Sequence, residues 1–464
     1  MSIRICVIGT GYLGATHAAC MAELGFEVLG IDVDASKIAM LSIGIVPFSE
    51  PGLGELVSRH VRTGRLRFTT DLSEAADFGD VHFICVGTPQ SHGSLAADLG
   101  AIYRVVAALA PHLSRDCLVV GKSTVPVGTA ERLATSFTDL SPLGIEVETA
   151  WAPEFLREGH AVQDTLRPDR LVFGVASAEA EKTLRRIYQK PVDAGVPVVV
   201  TDVATAELSK LAANAFLATK ISFINAMAEV CELAGADVVD VADVLGHDER
   251  IGRRFLDAGL GFGGGCLPKD IRAFSARADE LGAGSTVALL REVEAINLRA
   301  RSRIVELAVE LCGSSVQGRR IAVLGAAFKP LSDDVRDSPA LDVAVQLHLQ
   351  GAHVRIYDPE ANDTARAVAA ALEYADSATS ALVGADLVLH LTNWPQFRSL
   401  DPYSLGEVVK CRRIIDGRNS LDADRWRMAG WMYRGLGRRP GSVLSRGRLL
   451  PPVTARPEPV LQPL

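Results

Sequence analysis

A chain of 464 residues is too long for one core at roughly 100–200 residues per domain, so two or three domains are expected. Hydrophobic residues at 48%, charged residues at 22% and a formal charge of −8 describe an ordinary globular protein and exclude nucleic-acid binding as its main activity. No signal peptide and no apolar run of about 18 residues is readable, which predicts a cytoplasmic protein with no membrane partner. The cysteines are scattered without C-x-x-C or metal-ligand spacing, so reduced thiols and no metal site are expected.

In chain order, RICVIG, EVLGID, VHFICVG, CLVVGKS, VETAWAPE and LVFGV are short apolar runs ending in glycine or polar residues, separated by helical spacing. They predict buried strands of a parallel sheet in a doubly wound α/β domain over residues 1–200. The Ala- and Leu-rich stretch from Val203 to Ala234 has no Pro or Gly and stops at Gly235, predicting a long helix that opens an all-helical region over 201–312. RIAVLGAAF, HVRIYDP, LVLHLTN and RIIDGR then restore the strand pattern in a second α/β domain over 313–437. The Arg- and Pro-rich tail, 438–464, has no period and reads as disordered.

Gly9, Gly11 and Gly14 form G-x-G-x-x-G directly after a strand and at the start of a helix, where a dinucleotide pyrophosphate sits on free amides. Asp32 ends the next strand, placed to accept hydrogen bonds from a ribose diol; its carboxylate favours NAD over NADP. Ser123 and Thr124 follow the strand CLVVG at the edge where such sheets bind ligands, and a hydroxyl there can order a water.

Lys210 and Asn214, four apart on the long helix, are either a snorkelling surface pair or charge for an oxyanion. Glu154 and Glu158 supply carboxylates for base work or line a surface turn. In GLGFGGGCLPKD, Cys266 follows three glycines that permit close backbone approach and precedes Lys269 and Asp270. A helix starting near Pro268 would put its thiol at a positive helix end and favour thiolate. Buried filler and nucleophile both remain open at this point, though a thiolate beside a nicotinamide has a defined use: capturing an aldehyde, yielding a hydride and leaving a thioester.

The ordered set GTGYLG, EPGL, VGTP, STVPVGT, PEFLREG, PDR, ELSKLAANAFLA, RIG, GFGGGCLPKD, AAFKPLSDDVRDSP, YDP and DGR, over about residues 1–437, resembles the UDP-glucose/GDP-mannose dehydrogenase family. These are NAD-dependent four-electron oxidoreductases that turn a nucleotide sugar into its uronic acid. The resemblance implies two Rossmann-like domains, one for NAD and one for the UDP-sugar, joined by a long central helix and a helical dimerisation region carrying the catalytic Lys and Cys. It implies Cys266 as nucleophile and Thr124 with Asp270 as holders of a water. It gives Lys210 and Asn214 oxyanion stabilisation, and Glu154 thioester hydrolysis beside Glu158. For NAD it names Gly11, Tyr12, Leu13, Asp32, Lys37, Thr88, Thr124, Glu158, Lys269 and Arg336. For the sugar it names Glu154, Phe155, Leu156, Lys210, Asn214, Phe255, Phe262, Gly263, Lys329 and Arg418, with the glycines read as room for the sugar. Arg250 would reach the neighbouring subunit's sugar site in a homodimer or larger assembly. The text of PEFLREGHAVQD and PDRLVFG follows the branch acting on UDP-glucose, whereas Leu267-Pro268 is shared with the GDP-mannose branch. GDP-mannose or a UDP-N-acetylhexosamine is the alternative substrate, and a catalytically silent NAD-binding assembly protein the alternative of another class. Asn393 before Trp394 departs from the family's common acid at that place.

Overall fold

The computed structural model describes residues 3–439, so most of the tail read as disordered lies outside the described residues. The first sheet contains β1 (Arg4–Ile8), β2 (Glu27–Ile31), β3 (Leu66–Thr69), β4 (Val81–Ile84), β5 (Cys117–Gly121), β6 (Val147–Trp151), β7 (Leu171–Gly174) and β8 (Val198–Thr201). Its order is β3-β2-β1-β4-β5-β6-β7-β8. The second contains β9 (Arg320–Leu324), β10 (His353–Tyr357), β11 (Glu373–Tyr374), β12 (Leu387–His390), β13 (Arg413–Asp416) and β14 (Met432–Gly435), ordered β11-β10-β9-β12-β13-β14. Both repeat the dinucleotide-fold order, in which the direction of travel reverses beside the first strand and opens a crevice at the carboxyl edge. The buried inner strands are the apolar runs of the sequence, as expected of strands covered on both faces.

One part of the parallel expectation is corrected. β7 meets β6 antiparallel through Trp151 and Gly174, and β8 runs parallel to β7, so the last two strands are reversed. A parallel neighbour needs a crossover over the sheet face, whereas an antiparallel one needs only a return along the same edge. Residues 152–170 make that return as a loop and one short helix, Ala161–Leu166, and so keep Glu154 and Glu158 at the carboxyl edge.

The long helix runs Val203–Ala234, with Asp202 accepting from the Thr205 amide at 2.8 Å at its start and Gly235 closing it at φ 70°. The cysteine helix, Leu267–Glu280, and a second long helix, Gly284–Leu311, pack on it around Ala215, Ala218, Phe262, Ile271, Leu290 and Val293. Ser222 seals this contact by donating to the Val293 carbonyl at 2.7 Å. The far half of the second long helix, from Ile304 to Cys312, enters the core of the second sheet. The helical region is thereby bonded to both sheets.

Candidate active site

At the first sheet each fingerprint glycine has its own job. Gly9 sits at φ 92°, where a side chain is strained; a Cβ on Gly14 would lie 1.7 Å from the Gly9 carbonyl, so that glycine lets helix meet strand; Gly11 faces open space. The helix Tyr12–Leu24 starts there without a side-chain cap, leaving first-turn amides for a pyrophosphate. Asp32 Oδ2 accepts from the Thr10 amide and Lys37 Nζ, both at 2.9 Å, and Oδ1 from the Asp34 amide at 3.1 Å. Burial opposes its charge, but these hydrogen bonds outweigh it and hold the carboxyl below its ordinary range. The residues present therefore fit a dinucleotide. Leu13 packs against the sheet core, and Tyr12 turns its hydroxyl to Glu50 and the Gly159 amide. Thr88, at the crevice, donates to the Thr124 carbonyl at 2.8 Å. Of the two hydroxyls after β5, Ser123 is buried against the Val86 carbonyl at 2.6 Å, leaving Thr124 as the partly exposed one.

Cys266 is the N-cap of its helix, as the sequence predicts, and is the one exposed cysteine; six others are buried and Cys411 is intermediate. The exposure is the residue's; the thiol itself is desolvated among Asp270, Lys210, Glu158 and Lys269. The expected thiolate is corrected: burial and the Asp270 carboxylate push the thiol up, outweighing Lys210 and Lys269. Asp270 Oδ2 accepts from Asn214 Nδ2 at 2.6 Å and Oδ1 from Lys269 Nζ at 2.5 Å, which fixes that carboxylate between the two helices. Lys210 feels burial, which lowers its pKa, against the pull of Cys266, Asp270 and Glu154. Its ammonium lies 5.3 Å from the Phe155 ring centroid, and Arg170 lies 3.7 Å from that centroid.

Glu154 and Glu158 do not act as a helical pair, because residues 152–157 form an irregular loop. Glu154 Oε1 accepts from the Phe155 and Leu156 amides at 2.9 and 3.1 Å, while Oε2 pairs with Lys122 at 3.1 Å. Glu158 faces the second sheet: Ser332 donates to it at 3.4 Å, Arg336 pairs at 3.5 Å, and Lys329 donates to its carbonyl at 2.8 Å. Burial and Asp334 push the Glu158 carboxyl up, and burial pushes Lys329 down.

The reading of the glycines as room for a sugar is also corrected. Cβ atoms on Gly259 and Gly263 would lie 2.6 Å from the Gly417 carbonyl and 2.2 Å from the Asp337 carbonyl. Their absent side chains let the cysteine loop press backbone to backbone on the second domain. Arg418 stitches the same contact, donating to the carbonyls of Leu391, Gly261 and Phe328. Phe262 is buried, with its amide and carbonyl bonded to Asn297 at 2.7 and 3.0 Å. Two predicted residues do not join this group: Arg250 pairs with Asp248 at 2.6 Å in an exposed turn, and Phe255 is exposed at φ 66°.

Three organising residues escape the sequence reading. Lys122 holds Glu154; Glu50 accepts from the Gly159 and Ala161 amides at 2.7 Å each; and Glu207, on the long helix, accepts from the Gly128 and Ala130 amides at 2.7 and 2.6 Å. For Lys122 and Glu207 the available signal is a charge inside an apolar or Ala-rich run; Glu50 stands in EPGL, between Ser49 and Pro51, with no such signal.

A dinucleotide cradle together with an exposed cysteine, a buried lysine and a hydrogen-bonded aspartate defines a nicotinamide-dependent oxidoreductase. The NAD binding domain of the UDP-glucose/GDP-mannose dehydrogenase family matches residues 3–192, its central domain 204–299 and its UDP binding domain 322–423. The chain belongs to that family. It is 42% identical over 436 residues to UDP-glucose 6-dehydrogenase TuaD of Bacillus subtilis (strain 168), covering 94% of this chain and 93% of the relative. A UDP-glucose dehydrogenase structure from Pyrobaculum islandicum superposes with TM-score 0.87 at 36% identity, covering 94% of this chain and 98% of that one. A UDP-D-ManNAc dehydrogenase structure from Pyrococcus horikoshii gives 0.82 at 29%, covering 94% and 99%.

Proposed function

We propose that this protein oxidises the C6 alcohol of UDP-glucose to the carboxylate of UDP-glucuronate. The observation that carries the reading is the exposed residue Cys266 with its thiol among Lys210, Asp270 and Glu158, in a chain whose 42%-identical relative is a UDP-glucose 6-dehydrogenase. NAD, bound at the first sheet, supplies the hydride acceptor for both oxidation steps. In this reading residues 1–200 bind NAD, 201–312 carry Lys210 and Cys266, and 313–437 bind the UDP-sugar. Thr124 and Asp270 hold the water that takes the alcohol proton, and the Asn214 amide orients the aspartate. Lys210 and Asn214 stabilise the alkoxide and later oxyanions; the lysine is suited to this because it has no ion-pair partner among the described residues. The Cys266 thiol adds to the aldehyde to give a thiohemiacetal, whose carbon gives up the second hydride and whose hydroxyl gives up a proton to leave a thioester, and that thioester is hydrolysed with Glu154. Lys329, Phe262 and Arg418 form the sugar-side wall.

The test is NAD reduction with a panel of nucleotide sugars. Two NADH per UDP-glucuronate are expected, and equal or faster reduction with GDP-mannose or a UDP-N-acetylhexosamine would reassign the substrate. NAD binding without any reduction would favour the silent assembly protein.

The same reading includes a homodimer. Phe216, Phe223 and Val230 recur at heptad spacing along the long helix and are 65%, 47% and 53% exposed, an apolar stripe suited to a second copy. Arg250, exposed near this region, would then serve the partner's site. Light scattering of the purified chain should give at least twice the monomer mass.

A further inference from the structure

Lys122 stands at the carboxyl end of β5 with a side chain only 4% exposed. Its ammonium has three acceptors: Glu154 Oε2 at 3.1 Å, the Ala152 carbonyl at 3.2 Å and Tyr188 Oη at 3.3 Å. Burial opposes the charge, but Glu154 and Tyr188 outweigh it and hold the pKa above the ordinary lysine range, so the group is an ammonium at any working pH. A methionine would fill similar space without that desolvation cost, so packing alone does not account for a lysine here.

The geometry leaves Glu154 nearly saturated. A carboxylate offers about four lone-pair directions. The Phe155 and Leu156 amides occupy those on Oε1, and Lys122 occupies one on Oε2. One direction, on Oε2, stays open, and its aim depends on the lysine. Lys210, whose charge feels both Glu154 and Cys266, marks the same cleft.

We propose that Lys122 is a positioning residue for thioester hydrolysis: by gripping Glu154 Oε2 and the Ala152 carbonyl together, it fixes the open lone pair that receives a proton from the attacking water. This rests on the reading of Cys266 as nucleophile and Glu154 as the hydrolytic carboxylate. The water oxygen bonds to the acyl carbon while one water proton passes to Oε2. The tetrahedral adduct then collapses, its carbon–sulfur bond breaks with the electron pair going to Sγ, and the proton held on Glu154 moves to the departing sulfur. A carboxylic acid and a free thiol result, with no change of oxidation state in this step.

The experiment is stopped-flow NADH absorbance with Lys122→Met, UDP-glucose and NAD, followed by acid quench and intact mass. The expected result is a burst of two NADH per active site, steady turnover at least about tenfold below wild type, an acyl adduct on Cys266 and KM values within about threefold. Tyr188→Phe, which removes one lysine acceptor, should give the same pattern more weakly and serves if the first variant does not fold. Lys122→Met added to Glu154→Gln should cost no further rate; an additive loss overturns the proposal. Wild-type turnover without a burst, or equal slowing of the first hydride and of hydrolysis with no adduct, also overturns it. Many turnovers by Cys266→Ser would sink the covalent reading and this inference together, whereas a wild-type-like Lys122→Met beside a dead Cys266→Ser sinks the inference alone.

Discussion

The two sheets share one strand order and differ in the loop after the first strand. In the first, only residues 9–11 separate β1 from its helix, and the acid after the second strand, Asp32, stays partly open beside Lys37. In the second, residues 325–338 separate β9 from the helix Pro339–Leu349, and the corresponding acid, Asp358, is 1% exposed. Asp358 Oδ2 accepts from the amides of Ala326 and Ala327 and from the Trp394 indole; Oδ1 accepts from Glu360 and Ala361. One acid is kept for a ligand, and its counterpart is turned inward to hold a long loop. That loop crosses to the first sheet and brings Lys329, Ser332 and Arg336 to Glu158. Topology repeats while the site does not, so function has to be argued from the loops.

Four measurements test this division. The largest effect is expected between the sheets: Cys266→Ala should reduce turnover by about a thousandfold or more while calorimetry finds NAD and UDP-glucose binding retained, so loss of either ligand would tie the cysteine to one sheet. Asp358→Ala orphans several buried donors and should lower stability by about 3–5 kcal/mol in urea unfolding; a change below ~1 kcal/mol would make the two acids equivalent. Asp32→Ala should shift stability by less than about 1 kcal/mol but raise the NAD KM ~10–100-fold and leave UDP-glucose affinity unchanged, a loss of about 1.4 kcal/mol for each tenfold. The smallest effect concerns pH. Because burial and Asp270 hold the Cys266 thiol above its ordinary range, its thiolate fraction should still be rising past about pH 8.5, the usual thiol pKa. Iodoacetamide inactivation of the free enzyme should therefore accelerate up to and beyond that pH, and a plateau below pH 8 would contradict the assignment.

The sequence reading found every inner strand and missed β3, β8, β11 and β14. These are the first and last strands of the two sheets. An edge strand is covered on fewer sides and lacks the apolar run that marks a buried one; β8, for example, has two exposed residues among its four. The reversal of β7 was equally invisible, since periodicity carries no direction. At the site, Cys266, Asp270, Lys210 and Asn214 lie in two compact motifs and were legible. Lys122 and Glu50 were not, because their partners lie far along the chain and only folding pairs them. The glycines of GLGFGGG were seen but given the wrong neighbour: room for a ligand and close contact with another backbone call for the same residue.

The backbone contact between the cysteine loop and the second domain bears on the order of events. In the proposed four-electron oxidation a two-electron carrier would have to be replaced once while the half-oxidised sugar stays behind. The cysteine loop and the second domain are joined main chain to main chain at Leu260–Gly417 and Gly264–Arg336, both at 2.9 Å. Links to the cofactor side include long side chains, such as Arg272 to Gln90 at 3.3 Å and Arg336 to Glu158 at 3.5 Å, and the start of the long helix, whose Ala206 packs in the first sheet's core. In the proposed reaction the main-chain joint would keep Cys266 and the sugar side in one jaw while the dinucleotide is exchanged.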